Sequence, residues 1–198
     1  IPNLFSFGDY ERELYNKLDI KVKNIYPVGN LRWANFLHHV KSENNSDEKY
    51  NSDICLIPDY YDVIRPSFYH AADAYDKHEQ KKINDPKLLS NINYARGYVG
   101  VVKYTIKFCI KHNMKLIIPF KRDKKNTPKG YKIEYEFFKR TLNKEEFDYC
   151  QKNFLEKKGD NFSSYRASLN SKVVVGVAST LLKDKLGTGG KILHCNFT

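Results

Sequence analysis

Apolar residues follow two patterns along the chain. In "DICLIPD" (53–59), "MKLIIPF" (114–120) and "KVVVGV" (172–177) they form short continuous runs. Elsewhere they recur at helical spacing, as with Tyr10, Leu14 and Leu18 in "YERELYNKL". "NINYARGYVGVVKYTIKFCIKHN" (91–113) is the clearest case, with Val99, Val102, Ile106, Cys109 and Ile110 on one face. Continuous runs are what strands buried on both faces look like, and periodic runs are amphipathic helices. Their alternation predicts an α/β, Rossmann-like domain with a parallel sheet flanked by helices.

Residues 1–40 predict strand, helix, strand, helix. Asp9 is the expected N-cap of the first helix, and the second strand ends at Gly29-Asn30. Residues 41–52, "KSENNSDEKYNS", are polar and aperiodic and predict a loop or linker. The expected division is therefore 1–40, the linker, and a main domain over 53–198. Within that domain, "KRDKKNTPKG" (121–130) reads as a basic loop. "YKIEYEFFKRTL" and "KEEFDYCQKNFLEKK" read as helices. "NFSSYRASLN" reads as a turn and short helix capped by Ser163 or Ser164.

Charge narrows the choice of partner. With 34 Lys+Arg against 23 Asp+Glu the net charge is +11, which suits nucleic acid, an anionic membrane face or phosphorylated small molecules. No RNA-recognition, KH, helix-turn-helix or zinc-finger signature is present, so nucleic acid is disfavoured. The 4 cysteines are widely spaced without a CxxC pair, which predicts buried, reduced thiols and no metal site. No apolar run approaches the roughly 18–20 residues of a membrane span. The start at Ile1-Pro2 and the stop just after an apolar run predict an excerpt of a longer protein.

In parallel sheets of this class ligands bind beyond the carboxyl ends of the strands, so chemistry is sought in the turns there. Lys121 and Arg122 follow "LIIPF" and form either a solvated basic loop or a phosphate clamp. Ser179 and Thr180 follow "VVVGV" at the start of a helix, where hydroxyls can cap the helix or hold phosphate. Asp184, one turn into that helix, either accepts hydrogen bonds from vicinal hydroxyls or faces solvent between Lys183 and Lys185. Ser164 and Tyr165 either belong to a helix cap or face a nucleotide. The motifs GxGxxG, Walker A, GxSxG and HExxH are all absent. His38, His39, His70 and His78 are scattered and read as surface or interface residues rather than catalytic ones.

The order of these elements resembles the GT-B glycosyltransferases of bacterial capsule and lipopolysaccharide biosynthesis. "FSFGDYERELYNKL" is similar to the end of their N-terminal domain, "IYPVGNLRWANF" to the element that follows it, and "LIIPFKR" to a basic strand end of the donor domain. "SSYRASLNSKVVVGVASTLLKDKLGTGGKILHCNFT" (163–198) resembles the donor-site signature, with Asp184 where Glu is usual and a looser Gly187-Thr188-Gly189-Gly190 turn before Lys191.

The resemblance implies a nucleotide-sugar donor and a saccharide acceptor, with no metal or other cofactor, in a cytoplasmic protein at or near the inner membrane. It implies that residues 1–40 end an acceptor-side domain. Ser179 and Thr180 would hold phosphate, Lys121 or Arg122 would add charge, Asp184 would meet ribose or sugar hydroxyls, and Ser164-Tyr165 would meet the nucleotide. The base would come from the other domain, with His38, His39, Asp59 and Arg65 as cleft candidates to which no role is assigned. A CDP-alcohol polyol-phosphate transferase, a sugar-nucleotide epimerase and a non-catalytic nucleotide- or RNA-binding module are the alternatives.

Overall fold

The computed structural model describes residues 3–42, 48–57, 86–157 and 161–195. Asp59, Arg65, His70 and His78 lie outside the described residues. The chain divides into two units, residues 1–46 and 47–198.

In the first unit β1 (Asn3–Ser6) pairs in parallel with β2 (Asn24–Pro27), and α1 (Asp9–Lys17) and α2 (Leu31–Ser42) follow their strands. Asp9 is not the N-cap. The helix begins at Asp9 itself, Gly8 holds the cap position, and Asp9 instead pairs with Arg12 at 2.7 Å. The turn after β2 needs its glycine, because Gly29 sits at φ 76°.

The second unit holds β3 (Ser52–Leu56), α3 (Pro86–Lys111), β4 (Leu116–Pro119), α4 (Pro128–Thr141), α5 (Lys144–Lys152) and β5 (Phe154–Leu155). These are followed by α6 (Ser163–Asn170), β6 (Ser171–Gly176), α7 (Thr180–Gly187) and β7 (Lys191–His194). The strands form one parallel sheet in the order β5-β4-β3-β6-β7, a Rossmann-like α/β arrangement.

Neighbouring residues in the central strands face opposite layers, as the pleat requires. Ile54, Leu56, Leu116, Ile118 and Val175 pack with Val102, Ile106, Phe137 and Phe138 of the helices on one side. Cys55, Ile57, Ile117 and Val174 pack with Tyr50, Ala167 and Leu182 on the other. Burial on both faces is why these strands read as unbroken apolar runs. All four cysteines are free thiols, with Cys55, Cys109 and Cys150 fully buried and Cys195 half-buried.

Two expectations are corrected. The helix expected over "KEEFDYCQKNFLEKK" stops at Lys152, and Phe154–Leu155 becomes an edge strand beside β4. Neither Ser163 nor Ser164 caps α6: that helix starts at Ser163, and Phe162 occupies the cap position without a side-chain bond.

Candidate functional site

The strand order reverses at β3. The chain steps from β3 to β4 to β5 on one side, then crosses to β6 and β7 on the other. At such a switch point the connections leave in opposite directions and open a crevice at the carboxyl ends of the strands. The turn after β6 borders it directly, and the turn after β4 lies two strands away, a span of about 10 Å.

In the β6–α7 turn, Ser179 is the N-cap of α7, and its Oγ accepts the Leu181 N–H at 3.3 Å. A serine hydroxyl that accepts one bond keeps its own proton to donate, so capping does not consume its capacity toward a ligand. Thr180 opens the helix with an exposed side chain. Asp184 is half-buried and shares the Thr180 face, four residues on.

Lys185, a flanking charge by sequence, is buried. Its Nζ donates to the carbonyls of Leu169 at 2.8 Å and Ser171 at 2.7 Å, at the end of α6 where helix carbonyls lack partners. Burial pushes its pKa down. Gly190 accommodates the stem, since a Cβ there would lie 2.3 Å from the Lys185 Cε.

The β4–α4 segment is a solvent-exposed turn held by its own hydrogen bonds. Asp123 Oδ1 accepts the N–H groups of Lys125 (2.7 Å) and Asn126 (2.8 Å), and Thr127 Oγ1 accepts the Asp123 N–H at 2.9 Å. Glu134 on α4, 2 % exposed, accepts the Lys121 N–H at 3.2 Å and the Arg122 N–H at 2.9 Å. The N–H groups of Lys121, Arg122, Lys125 and Asn126 therefore already serve carboxylates, and what the turn offers an anion is chiefly side-chain charge. Lys121 is exposed, and the half-buried Arg122 lays its stem over Gly130, whose missing Cβ would sit 2.9 Å from the Arg122 Cγ. Desolvation raises the Glu134 pKa to about 7 despite the two N–H bonds. Sequence reasoning passed over Glu134. Its signal was a carboxylate on the apolar stripe of α4, one turn from Tyr131 and Phe138.

Ser164 is half-buried in the first turn of α6. Tyr165 is 4 % exposed, with its ring at 72° to that of Phe162. The site residues thus fall into three places along one end of the sheet: Ser179, Thr180 and Asp184 after β6, Lys121 and Arg122 after β4, and Ser164 with Tyr165 at the start of α6. His38 and His39 are exposed on α2 in the first unit. Among the described residues no group of three or more His, Cys, Asp or Glu side chains could hold a metal ion, and no helix is long and apolar enough to cross a membrane.

A family model described as "putative O-antigen biosynthesis protein" matches residues 25–197. No curated protein and no solved structure matches the chain.

Proposed function

The chain belongs to this O-antigen biosynthesis family, and from that premise we propose that it is the donor-binding part of a glycosyltransferase. The enzyme would move a sugar from a nucleotide-sugar to a surface-polysaccharide or lipopolysaccharide acceptor, at the cytoplasmic face of the inner membrane. The observation that carries this reading is the Ser179-Thr180 turn at the carboxyl end of β6, beside the strand-order reversal. A crevice there is where folds of this class take nucleotides.

The parts have separate duties. The Ser179 hydroxyl donates to a phosphate oxygen, Thr180 adds a second hydroxyl, and the start of α7 contributes N–H groups and its dipole. Asp184 accepts hydrogen bonds from ribose or sugar hydroxyls. Lys121 and Arg122 supply positive charge without reorganising, because Glu134 fixes their backbone. Ser164 faces the nucleotide, and buried Tyr165 holds that turn in place.

In the reaction the bond from the anomeric carbon to the phosphate oxygen breaks, and the nucleotide leaves with the electron pair. The acceptor hydroxyl oxygen forms the new bond to the anomeric carbon, and its proton passes to a base supplied by the other domain. Charge grows on the leaving phosphate, so fixed cations and N–H groups stabilise the transition state more than the ground state. Calorimetry with UDP, CMP, CDP and GDP tests the reading: saturable binding of one of them is expected, and failure of all four overturns it.

A further inference from the structure

A second concavity runs along the edge strand β5, lined in part by neighbours of Arg122 and Ser164. It is a cleft of 740 Å³ lined by residues distant in sequence, among them Tyr50, Lys124, Tyr131, Gln151, Glu156 and Ser163. β5 is two strands removed from β3, so the cleft opens at the side of the sheet. None of the duties proposed above uses it.

Its chemistry mixes aromatic faces with hydrogen-bonding groups. The rings of Tyr131 and Tyr135, one helical turn apart on α4, lie 6.3 Å apart at 22°. The Tyr131 hydroxyl donates to Glu156 Oε1 at 2.5 Å, and Gln151 Nε2 donates to the Tyr135 hydroxyl at 3.1 Å. These bonds hold the rings in place while the carboxylate and the amide keep acceptor capacity. Ser163 is 2 % exposed, and its Oγ is buried with no hydrogen-bond partner among the described residues. A buried hydroxyl left unpaired costs free energy, and it lies just beneath the cleft, which its residue lines at the first turn of α6. Two cations complete the lining: Lys124 Nζ lies 5.6 Å from the Tyr131 ring centre and Lys49 Nζ 4.7 Å from that of Tyr50.

We propose that this cleft binds a saccharide, and within that class one bearing an acidic group. A pyranose presents an apolar C–H face bounded by hydroxyls. The face suits tyrosine rings, and the hydroxyls suit the carboxylate, the carboxamide and the unpaired serine of the lining. Lys124 and Lys49 outnumber Glu156 in the lining, which favours a sugar carboxylate or phosphate over a neutral ring. The site extends the glycosyltransferase reading by giving the saccharide a place of its own, and it rests on that reading only for its biological meaning. Saccharide binding without any nucleotide binding would overturn the donor-site reading and leave the cleft standing.

The test is saturation-transfer NMR and calorimetry on the whole chain with trigalacturonate, maltotriose and UMP. Trigalacturonate is expected to bind saturably, to take magnetisation from tyrosine protons, and to bind more tightly than maltotriose. Lys124→Ala and Gln151→Ala change exposed side chains, so both should fold normally and weaken trigalacturonate about three- to tenfold, the span of one hydrogen bond or charge contact. Ser163→Ala should weaken it similarly without lowering the melting temperature. Absence of saturable binding by either saccharide up to about 10 mM, a ligand weaker than useful recognition, overturns the proposal. So does affinity unchanged in all three variants, or displacement of trigalacturonate by UMP, which would make the cleft a nucleotide site. Maltotriose binding as tightly as trigalacturonate overturns the preference for an acidic sugar.

Discussion

Glu134 and Arg122 are joined side chain to backbone: the buried carboxylate accepts the Arg122 N–H at 2.9 Å and holds the basic turn against α4. Removing it in Glu134→Ala strands two N–H groups, those of Lys121 and Arg122. Each unsatisfied donor costs about 1–3 kcal/mol, so a loss of about 2–6 kcal/mol is expected in urea unfolding. An unchanged midpoint would show that water replaces the carboxylate without cost.

The same residue carries a pH signature. Its folded pKa of about 7 lies above the ordinary 4.5, so between those values the folded state binds the extra proton. Stability from this group is present below about pH 4.5 and falls as pH rises towards 7. Wild type minus Glu134→Gln should therefore show stability declining across that window, by at most about 3.5 kcal/mol at one pKa unit per 1.36 kcal/mol. A flat difference curve would mean the carboxyl titrates normally.

Ser179→Ala removes the cap of α7 and should cost about 1 kcal/mol. Combined with Thr180→Val it should abolish nucleotide binding in calorimetry while the circular dichroism spectrum survives. Undiminished affinity would reduce the two hydroxyls to helix caps.

Lys185→Met deletes a buried ammonium that bonds two carbonyls, and should cost about 2–4 kcal/mol, as charged hydrogen bonds do. Gly190→Ala should destabilise in the same direction by driving a methyl into the Lys185 stem. Thermal melts of the two variants read both effects. If the double mutant loses the full sum of the singles, the two residues act independently and the packing account fails.

Burial raises the thiol pKa values, to about 12 for Cys55 and about 11 for Cys109, and pushes Cys150 up further. Only the thiolate reacts, so a disulfide reagent should modify Cys195 first and the others only on unfolding. Mass spectrometry of the first adduct identifies the site, and early labelling of Cys109 would contradict the packing described.

The central strands were legible because a strand buried on both faces has no polar alternation to hide it, as in "VVVGV" and "LIIPF". β5 was not. Phe154 and Leu155 are two residues trailing an amphipathic helix, and only pairing with Ile118 and Pro119 makes them a strand. The turn after β6 could be found because strand, small residues and helix follow in sequence order. The edge cleft could not, because Lys49, Lys124, Glu156 and Ser163 meet only after the sheet has formed. Glu134 left a trace, a carboxylate on the apolar stripe of α4, whereas Lys185 read as a charge flanking Asp184. The burial of Lys185 depends on α6 and Gly190 approaching it, and local sequence does not contain that.

The Ser52 and Ser171 hydroxyls touch at 2.7 Å across a separation of 119 residues, at the head of the β3–β6 pair. During synthesis β3 therefore emerges long before the strand that will cover one of its edges. Contacts this distant in sequence reward the chain only after a large loop has closed. Folding of this unit should be slow for its size, and the uncovered apolar strand is the stretch where a chaperone would be needed most.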